Sequence, residues 1–334
     1  MGLRSIWRNW KKSRQLKRQI ENATGENYFQ LINWWETEEV QHHRFRLFIE
    51  HYHLNPQKKP IVFFSVFGKR EFTKFGKGKI KIFFSGESLQ PNSFTWCQPY
   101  RDYCLDEMSL SLGYDTLPFD NYYRFPVWIF YSWFKPSVSY GEIKACIREI
   151  NNKSYRLANK QELKSSANSQ FAALLARHDK LTTVRGDLVR LLNQIQSVCC
   201  AGKYLHNTDE LQTKYQNDKQ EYLRQFRFNI CPENSNSKGY TTEKIFDAIR
   251  AGCIPIYWGS EGCPEPEILN QEAILFYDPD NPDALLQQVQ RLESDPEYYA
   301  EFISRPPFKE DAADKIWQMI DGLRDKLEKV INQH

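Results

Sequence analysis

Short runs of apolar residues that end in glycine and polar residues constrain the fold of this chain more than any other feature. Residues 61–68 read "IVFFSVFG", residues 79–87 read "KIKIFFSGE", and residues 110–115 ("LSLGYD") form a third, weaker run. Strands of a parallel sheet show this pattern because helices cover both faces and leave no side for polar residues. The first half of the chain is therefore predicted to form an open α/β sheet with loops at its strand ends.

A second pattern of alternating strands and helices begins after residue 155. Helices are predicted where apolar residues recur on one helical face, at residues 169–180, 184–195, 242–251, 284–294 and 313–331. Strands are predicted at short apolar runs, within residues 197–202, 221–231 and 253–260. Gly252 is expected to end the helix before it, because glycine readily adopts the left-handed conformation of helix ends. The fold class predicted for the whole chain is α/β.

The composition excludes several classes of protein. Charged residues make up 26% of the 334 residues and hydrophobic residues 41%, which is the balance of a soluble globular protein. The net charge of +3 is too small to indicate a nucleic-acid partner, and no apolar run approaches the ~18 residues of a membrane span. Eight cysteines are scattered without a CxxC pair, so we expect reduced thiols rather than disulfides or a zinc site.

The first fifty residues contain a basic segment, "LRSIWRNWKKSRQLKRQI", in which Trp7, Trp10 and Leu16 alternate with lysines and arginines. Two interpretations are open. The segment is a basic amphipathic helix on an anionic membrane surface, or a terminal helix whose apolar residues pack on the protein. No apolar stretch with a small-residue cleavage site is present, so no signal peptide is expected. We expect a cytoplasmic protein, in peripheral contact with the inner membrane face under the first interpretation.

A polar stretch at residues 231–244, "CPENSNSKGYTTEK", lies between a predicted strand and a predicted helix. Open α/β sheets bind ligands at such a position, and the N–H groups and dipole of the helix N-terminus favour anions there. Thr241 or Thr242 can cap the helix, and Glu243 suits its first turn. Lys244 opposes the dipole unless it meets an anion such as a phosphate. The stretch is therefore predicted to be an anion site.

Residues 228–260, "FNICPENSNSKGYTTEKIFDAIRAGCIPIYWGS", resemble the donor-binding motif of the α1,3-fucosyltransferases, glycosyltransferase family 10. The matching positions are Asn234, Tyr240, Thr242, Glu243, Lys244, Pro255 and Gly259. "FFSGESLQPN" (83–92), "SLGYDTLPFDNYYRFPVW" (111–128) and "LTTVRGDLVRLL" (181–192) are similar to other segments of that family. The resemblance covers about residues 60–275.

This resemblance implies a GT-B fold, in which two Rossmann-like domains face each other across a cleft. On that basis, residues 1–155 are assigned to an acceptor-binding domain, of which residues 1–50 are a basic extension. Residues 156–312 are assigned to the GDP-fucose-binding domain. The terminal helix, residues 313–334, is expected to cross back to the first domain.

The resemblance also implies an inverting transfer of L-fucose from GDP-β-L-fucose to a glycan hydroxyl, in α1,3 linkage to GlcNAc O3 of Galβ1-4GlcNAc. Two kinds of alternative are open: a related transferase that uses another GDP-sugar or a protein hydroxyl, and a non-catalytic glycan-binding relative. No metal cofactor is expected to be required. The Asp-x-Asp spacing at residues 278–280 is interpreted as a proline-rich turn rather than a metal site.

The family's pattern assigns one residue to the acceptor side. Glu87, at the end of a first-domain strand, matches the general base that removes the proton of the accepting hydroxyl. Without the match it would be interpreted as a solvated strand-end carboxylate, and Asp115 is the alternative acid. Ser88 replaces the asparagine that commonly follows the base, a change expected to affect acceptor contacts more than chemistry.

Five residues are assigned to the donor side by the same resemblance. Arg185 and Lys244 would stabilise the leaving diphosphate without a metal. Glu243 would hold fucose hydroxyls or the developing positive charge of the ring. Asn234 and Tyr240 would hold the ribose or phosphate region of the nucleotide.

Overall fold

The computed structural model describes residues 14–35, 39–152 and 170–334. The chain divides into two compact units. The first comprises the residues up to Val138 together with Gln318–His334, and the second is Ser139–Trp317. The second division falls inside the last helix, and neither division coincides with the domain boundaries predicted above.

The first unit contains, within the described residues, a five-stranded parallel sheet in the order β1-β2-β3-β4-β5. Its strands are β1 (Phe29–Ile32), β2 (Ile61–Phe64), β3 (Ile80–Phe84), β4 (Leu110–Gly113) and β5 (Tyr122–Arg124). Helix α1 is Arg44–His51. All four residues of β2 are buried, which is why the apolar runs at residues 61–68, 79–87 and 110–115 could be recognised as strands, and these three predictions are confirmed.

The N-terminal fifty residues are more than an extension. β1 pairs in parallel with β2, with Phe29 opposite Ile61, so the sheet begins inside the segment that was assigned as a basic extension. The sequence signal was weak because β1 has only four residues. In the described part of the basic segment, residues 14–21 are helical, Ile20 is fully buried, and Leu16 packs against the same core. Trp7 and Trp10 lie outside the described residues.

The second unit contains, within the described residues, a five-stranded parallel sheet in the order β10-β9-β8-β6-β7. Its strands are β6 (Gln170–Leu174), β7 (Val198–Cys200), β8 (Phe226–Ile230), β9 (Ile254–Tyr257) and β10 (Leu275–Phe276). The helices that follow α1 along the chain are α2 (Tyr140–Asn151), α3 (Val184–Leu192), α4 (Glu210–Thr213), α5 (Lys219–Leu223), α6 (Glu243–Arg250), α7 (Pro282–Ser294), α8 (Pro296–Ile303) and α9 (Ala312–Asn332).

The strand order of the second sheet reverses at β6. From β6 the chain runs outward to β7, then returns to the other side of β6 as β8 and continues outward through β9 and β10. In open parallel sheets, ligands bind outside the carboxyl ends of the strands at such a reversal. The topology therefore identifies the carboxyl ends of β6 and β8 as the place to look for a site.

One predicted helix is wrong. Residues 170–174, inside the segment predicted as a helix at 169–180, form β6, which is hydrogen-bonded to β7 on one side and β8 on the other. Two alanines and a leucine in this run favour a helix by local propensity. Burial between two neighbouring strands overrides that preference, and four of its five residues are buried.

The last helix is confirmed as α9, and its apolar stripe (Ile316, Ile320, Leu323, Leu327 and Ile331) is buried. Within the first unit, the Tyr123 hydroxyl donates to the carbonyl of Met319 (3.0 Å), and Lys59 donates to the carbonyl of Ile331 (2.9 Å). A Cβ atom at Gly322 would lie 2.2 Å from the Tyr123 hydroxyl, so glycine is required for this approach. None of the helices in the described ranges combines the length and the apolar character that a membrane crossing needs.

Candidate active site

The carboxylate of Glu233, in the loop after β8, caps the N-terminus of α6. It accepts a hydrogen bond from the backbone N–H of Thr242 (2.7 Å) and one from the Thr242 hydroxyl (2.7 Å). Thr242 occupies the N-cap position, but its side chain does not cap the helix. A carboxylate is favourable at a helix N-terminus because it meets both the free N–H groups and the dipole. The sequence assigned capping to Thr241 or Thr242, and Glu233 does it instead.

Lys244 also binds Glu233. Its ammonium lies 2.8 Å from the fully buried Glu233 carboxylate and donates to the Thr242 hydroxyl at 2.7 Å. The lysine in the first turn of α6 therefore meets an anion that the protein itself supplies. Gly259 makes room for that anion, because its φ of 137° suits glycine and a Cβ there would lie 2.8 Å from Glu233 carbons.

Glu243 precedes Lys244 and remains at the surface of the site. Its side chain is 39% exposed, and its carboxylate lies 3.8 Å from the Lys244 ammonium. Burial raises the pKa of Glu243, but the positive charges of Lys244 and Lys219, together with hydrogen bonds from its own backbone and from Thr242, lower that pKa below its usual value. Glu243 is therefore an ionised carboxylate beside two cations, which suits an electrostatic or hydrogen-bonding role.

Arg185 is a buried cation in the first turn of α3. It is 6% exposed and donates to two neutral oxygens, the Asn234 side-chain oxygen at 2.8 Å and the carbonyl of His178. Within the described residues, no carboxylate lies at ion-pairing distance from its guanidinium. Burial, then the charge of Arg185, lowers the pKa of His178, which is consistent with a positive environment. A buried charge without a partner is costly, so this guanidinium is suited to receive an anion.

Lys219, the first residue of α5, completes the cationic surface and was not identified from the sequence. It forms an ion pair with the mostly buried Asp247 of α6. Together with Arg185 and Lys244, it lines a small cleft at the carboxyl ends of β6 and β8, whose other lining residues are Leu174, Leu175, Asn229, Ile230, Cys231 and Pro232. The cleft therefore lies at the reversal of strand order. A lysine that opens a five-residue helix carries no recognisable motif, which is why sequence reasoning missed it.

The two remaining donor-side candidates lie in the same loop. Asn234 orients Arg185 through the 2.8 Å hydrogen bond. Tyr240 is only 1% exposed, and its backbone carbonyl accepts a hydrogen bond from the Ser260 hydroxyl at 2.6 Å. Of the predicted donor-side residues, Arg185 and Lys244 line the cleft. Asn234 is bonded to the first and Glu243 lies beside the second, whereas Tyr240 is buried within the loop.

Glu87 lies in the first unit, in the segment that follows β3. It is half-buried, and its backbone N–H and carbonyl both bond to the Ser85 hydroxyl, at 3.2 and 2.7 Å. The next residue, Ser88, is fully buried, and its hydroxyl lies 3.1 Å from that of Tyr114. Ser88 therefore anchors the segment to the end of β4, and its position is too enclosed for direct contact with a ligand.

Asp115, the alternative acid, lies beside the same segment. Its carboxylate accepts hydrogen bonds from Tyr103 (3.0 Å) and Gln90 (3.2 Å). Burial raises the pKa of Asp115, and those two hydrogen bonds oppose the shift. Both donors bond to the same oxygen, Oδ2, so Asp115 ties Gln90 of this segment to Tyr103.

Residues 278–280 form a turn, in which the backbone N–H of Asp280 donates to the Asp278 carboxylate at 3.0 Å. Across the described parts of the chain, no three His, Cys, Asp or Glu side chains are grouped in a way that could hold a metal ion. All eight cysteines are described, and each is a free thiol.

Two parallel α/β units, one with a cationic cleft at a reversal of strand order, are the components of the GT-B class of fold. A crystal structure of an α1,3-fucosyltransferase with GDP-fucose shares this fold, with a TM-score of 0.56, 21% identity, and coverage of 93% of this chain and 96% of that one. Two family models match the sequence: the α-(1,3)-fucosyltransferase FucT N-terminal domain over residues 29–131, and the glycosyltransferase family 10 (fucosyltransferase) C-terminal domain over residues 165–315. The chain belongs to glycosyltransferase family 10.

Curated relatives agree with this assignment. The chain is 28% identical over 256 residues to the α-(1,3)-fucosyltransferase FucT of Helicobacter pylori. The matched region covers 69% of this chain and 50% of that protein. It is 29% identical over 125 residues to the GDP-fucose protein O-fucosyltransferase 3 of Homo sapiens. The matched region covers 36% of this chain and 26% of that protein. The chain thus spans half or less of the length of these two relatives.

Proposed function

We propose that this protein transfers L-fucose from GDP-β-L-fucose to a glycan hydroxyl, with inversion at the anomeric carbon. One observation carries the proposal. The buried guanidinium of Arg185 has only neutral partners in the described residues, and it lines the cleft at the reversal of strand order together with Lys219 and Lys244. A diphosphate is the anion that such a cleft suits, because it brings two charges and several acceptor oxygens. Membership of family 10 supports GDP-fucose as its source.

The cations of the cleft act on the leaving group of the reaction. As the bond between fucose C1 and the β-phosphate oxygen breaks, the electron pair stays on GDP, and negative charge grows on the diphosphate. Arg185 and Lys244 stabilise that charge by charge-assisted hydrogen bonds. We propose that this suffices without a divalent metal, which would be at most stimulatory.

Lys244 can serve a phosphate and Glu233 together. An ammonium has three donors, and two of them are used by Glu233 and Thr242. The Glu233 carboxylate holds the ammonium at the rim of the cleft before the donor arrives, which lowers the entropic cost of ordering a lysine side chain on binding. When GDP-fucose binds, a phosphate oxygen is proposed to accept a hydrogen bond from this same ammonium.

Glu87 is the proposed general base. It takes the proton of the accepting hydroxyl while that oxygen forms its bond to fucose C1, so a neutral glycoside and a protonated Glu87 result. Glu243 is proposed to hold fucose hydroxyls or the positive charge that develops on the ring. Asn234 and Tyr240 are proposed to contact the ribose or phosphate region of GDP.

The proposed acceptor is GlcNAc O3 of Galβ1-4GlcNAc, in α1,3 linkage. The names of the Helicobacter pylori relative and of the N-terminal family model support the α1,3 linkage, and the family resemblance of the sequence is the ground for proposing this disaccharide. A second candidate is transfer to a protein hydroxyl, which the match to a GDP-fucose protein O-fucosyltransferase favours. Both candidates share the donor and differ only in the acceptor.

The experiment incubates the full chain with GDP-fucose, excess chelator and one acceptor at a time: N-acetyllactosamine, its Galβ1-3GlcNAc isomer, or a serine/threonine peptide. Mass spectrometry detects the fucosylated product, and NMR of that product gives linkage and anomeric configuration. An α1,3-fucosylated N-acetyllactosamine is the expected result. Transfer to the peptide alone would establish the second candidate, and a β-linked product would refute inversion.

A further inference from the structure

We propose that a wall of partly exposed aromatic rings beside Glu87 holds the acceptor by stacking against the C–H face of a neutral hexopyranose. This inference rests on the proposed function, because it concerns the acceptor of the same reaction. The aromatic wall, as we define it, consists of Trp35, Phe67, Phe94, Trp96 and Tyr131. All five residues belong to the first unit.

The rings of the aromatic wall form a continuous row. Phe67 lies between Trp35 and Trp96, with ring centroids 4.9 and 5.1 Å away. Phe94 stacks on Trp96 at 5.1 Å with planes 16° apart, and Tyr131 lies 5.4 Å from Trp35 at the other end. Consecutive planes along the middle of the row are tilted by 42° and 38°. The ring planes of the wall therefore face several directions and do not form one flat patch.

The rings lie at the edge of the core of the first unit, against which Phe67 and Phe94 pack. Trp96 is 40% exposed, and the other four members are half-buried. By contrast, Phe63 and Phe83 in the neighbouring strands are fully buried. A contiguous apolar patch in contact with solvent is a feature of ligand-binding grooves, and ligand sites combine aromatic walls with a few placed polar groups.

The wall reaches the Glu87 segment at its Trp35 end. A Cβ atom at Gly86 would lie 3.4 Å from Trp35 Cη2, so the indole of Trp35 lies over the residue that precedes Glu87. The charge of Glu87 also acts on Cys97, because burial raises the pKa of that thiol and the Glu87 charge raises it further. Cys97 directly follows Trp96 in the chain. The proposed base therefore follows directly on the residue that the Trp35 end of the wall covers.

This combination points to a neutral sugar. Aromatic faces carry partial negative charge, so they attract the polarised C–H groups of a pyranose ring and disfavour anionic groups. Galactose has its H3, H4 and H5 atoms on one face, which gives it a larger C–H surface than sugars with equatorial O4. The wall would hold that ring while the hydroxyl of the adjoining sugar lies at Glu87. Specificity for the acceptor would then reside in the first unit.

The test compares Trp96→Ala with Trp96→Phe, which keeps a ring, in the full chain. Phe119→Ala is the matched control, because Phe119 is a 50% exposed aromatic residue of the same unit outside the wall. We expect Trp96→Ala to raise the KM for N-acetyllactosamine by about tenfold, as the loss of one stacking contact of ~1.5 kcal/mol would do, with the KM for GDP-fucose within twofold of wild type. Trp96→Phe should recover most of the acceptor affinity. Equal KM values for Trp96→Ala and Phe119→Ala would overturn the proposal.

A binding measurement separates this proposal from the proposed function. Saturation-transfer NMR of N-acetyllactosamine with wild type should show the strongest transfer to galactose H3, H4 and H5, and Trp96→Ala should lose it. If these signals are seen but no fucose is transferred to any acceptor, the proposed function fails and the sugar-binding wall stands. If fucose is transferred to the disaccharide while the galactose protons receive no saturation, the wall is refuted and the function stands.

Discussion

The replacement of Glu233 by glutamine tests the electrostatic arrangement of the donor loop most directly. In the structure, this fully buried carboxylate accepts from the Thr242 N–H and hydroxyl and from the Lys244 ammonium, at 2.7, 2.7 and 2.8 Å. Glutamine has the same shape but no charge, and its NH₂ group would face hydrogen-bond donors. The change therefore removes the helix cap and the counter-charge of Lys244 together.

The magnitude follows from these contacts. Breaking a buried ion pair by removing one partner costs about 3–5 kcal/mol. The Lys244 side chain is 22% exposed and can regain some hydration, and the glutamine oxygen can still accept one bond from Thr242. We therefore expect the free energy of unfolding to fall by about 2–4 kcal/mol, which is within the range for losing one or two hydrogen bonds to a charged group.

Urea denaturation of the full chain, followed by tryptophan fluorescence, measures this change. Glu267→Gln is the control, because it makes the same substitution at an exposed position of the same unit and should stay within about 0.5 kcal/mol of wild type. Adding Lys244→Met to Glu233→Gln should cost less than the sum of the single changes, with a coupling of about 0.5–3 kcal/mol. Equal stabilities of Glu233→Gln and Glu267→Gln, or strict additivity with Lys244→Met, would refute the reasoning.

Three further predictions concern the two units. Glu87→Gln should lower turnover at least ~100-fold, because general base catalysis typically contributes that much or more. Calorimetry should show a GDP-fucose affinity within a few fold of wild type, and near-normal turnover would reject Glu87 as the base. Lys219→Ala should weaken GDP binding by about 1.5–3 kcal/mol if its charge-assisted bond is made, whereas Lys238→Ala, at an exposed lysine of the donor loop, should not. Burial raises the pKa of Asp115, so folding favours its protonated form and its contribution to stability falls as pH rises. Asp115→Asn should therefore gain in melting temperature relative to wild type between about pH 3 and pH 6, and a constant difference across that range would contradict the raised pKa.

The basic N-terminal segment supplies one prediction about location. If it binds anionic membranes through lysine and arginine, the full chain should co-sediment with liposomes that contain anionic lipid and remain in solution with neutral ones. Binding that is independent of lipid charge would count against this. The burial of Ile20 and the packing of Leu16 on the core show that, from residue 14 onward, the apolar side of the helix is already used by the protein.

The sequence by itself determined the fold class and the location of the donor loop. Runs such as residues 61–64 and 80–84 identify themselves as strands, because a strand buried on both faces can contain almost no polar residue. The donor loop is recognisable because a strand end, a polar stretch and an amphipathic helix occur in order, and all of these features are local. Arg185, in a separate segment, came from the family resemblance and not from any pattern of its own.

Only the tertiary structure decided which strand each segment joins and which charges neutralise one another. β6 could not be told from a helix because its partners, β7 and β8, are supplied by residues far along the chain. Glu233 and Lys219 carry no local signal either. The first acquires its role from Lys244, eleven residues away, and the second from Asp247, twenty-eight residues away. A local sequence pattern indicates which face of a helix or strand is buried. The partner of a buried charge depends on how these elements pack together, so only the tertiary structure shows it.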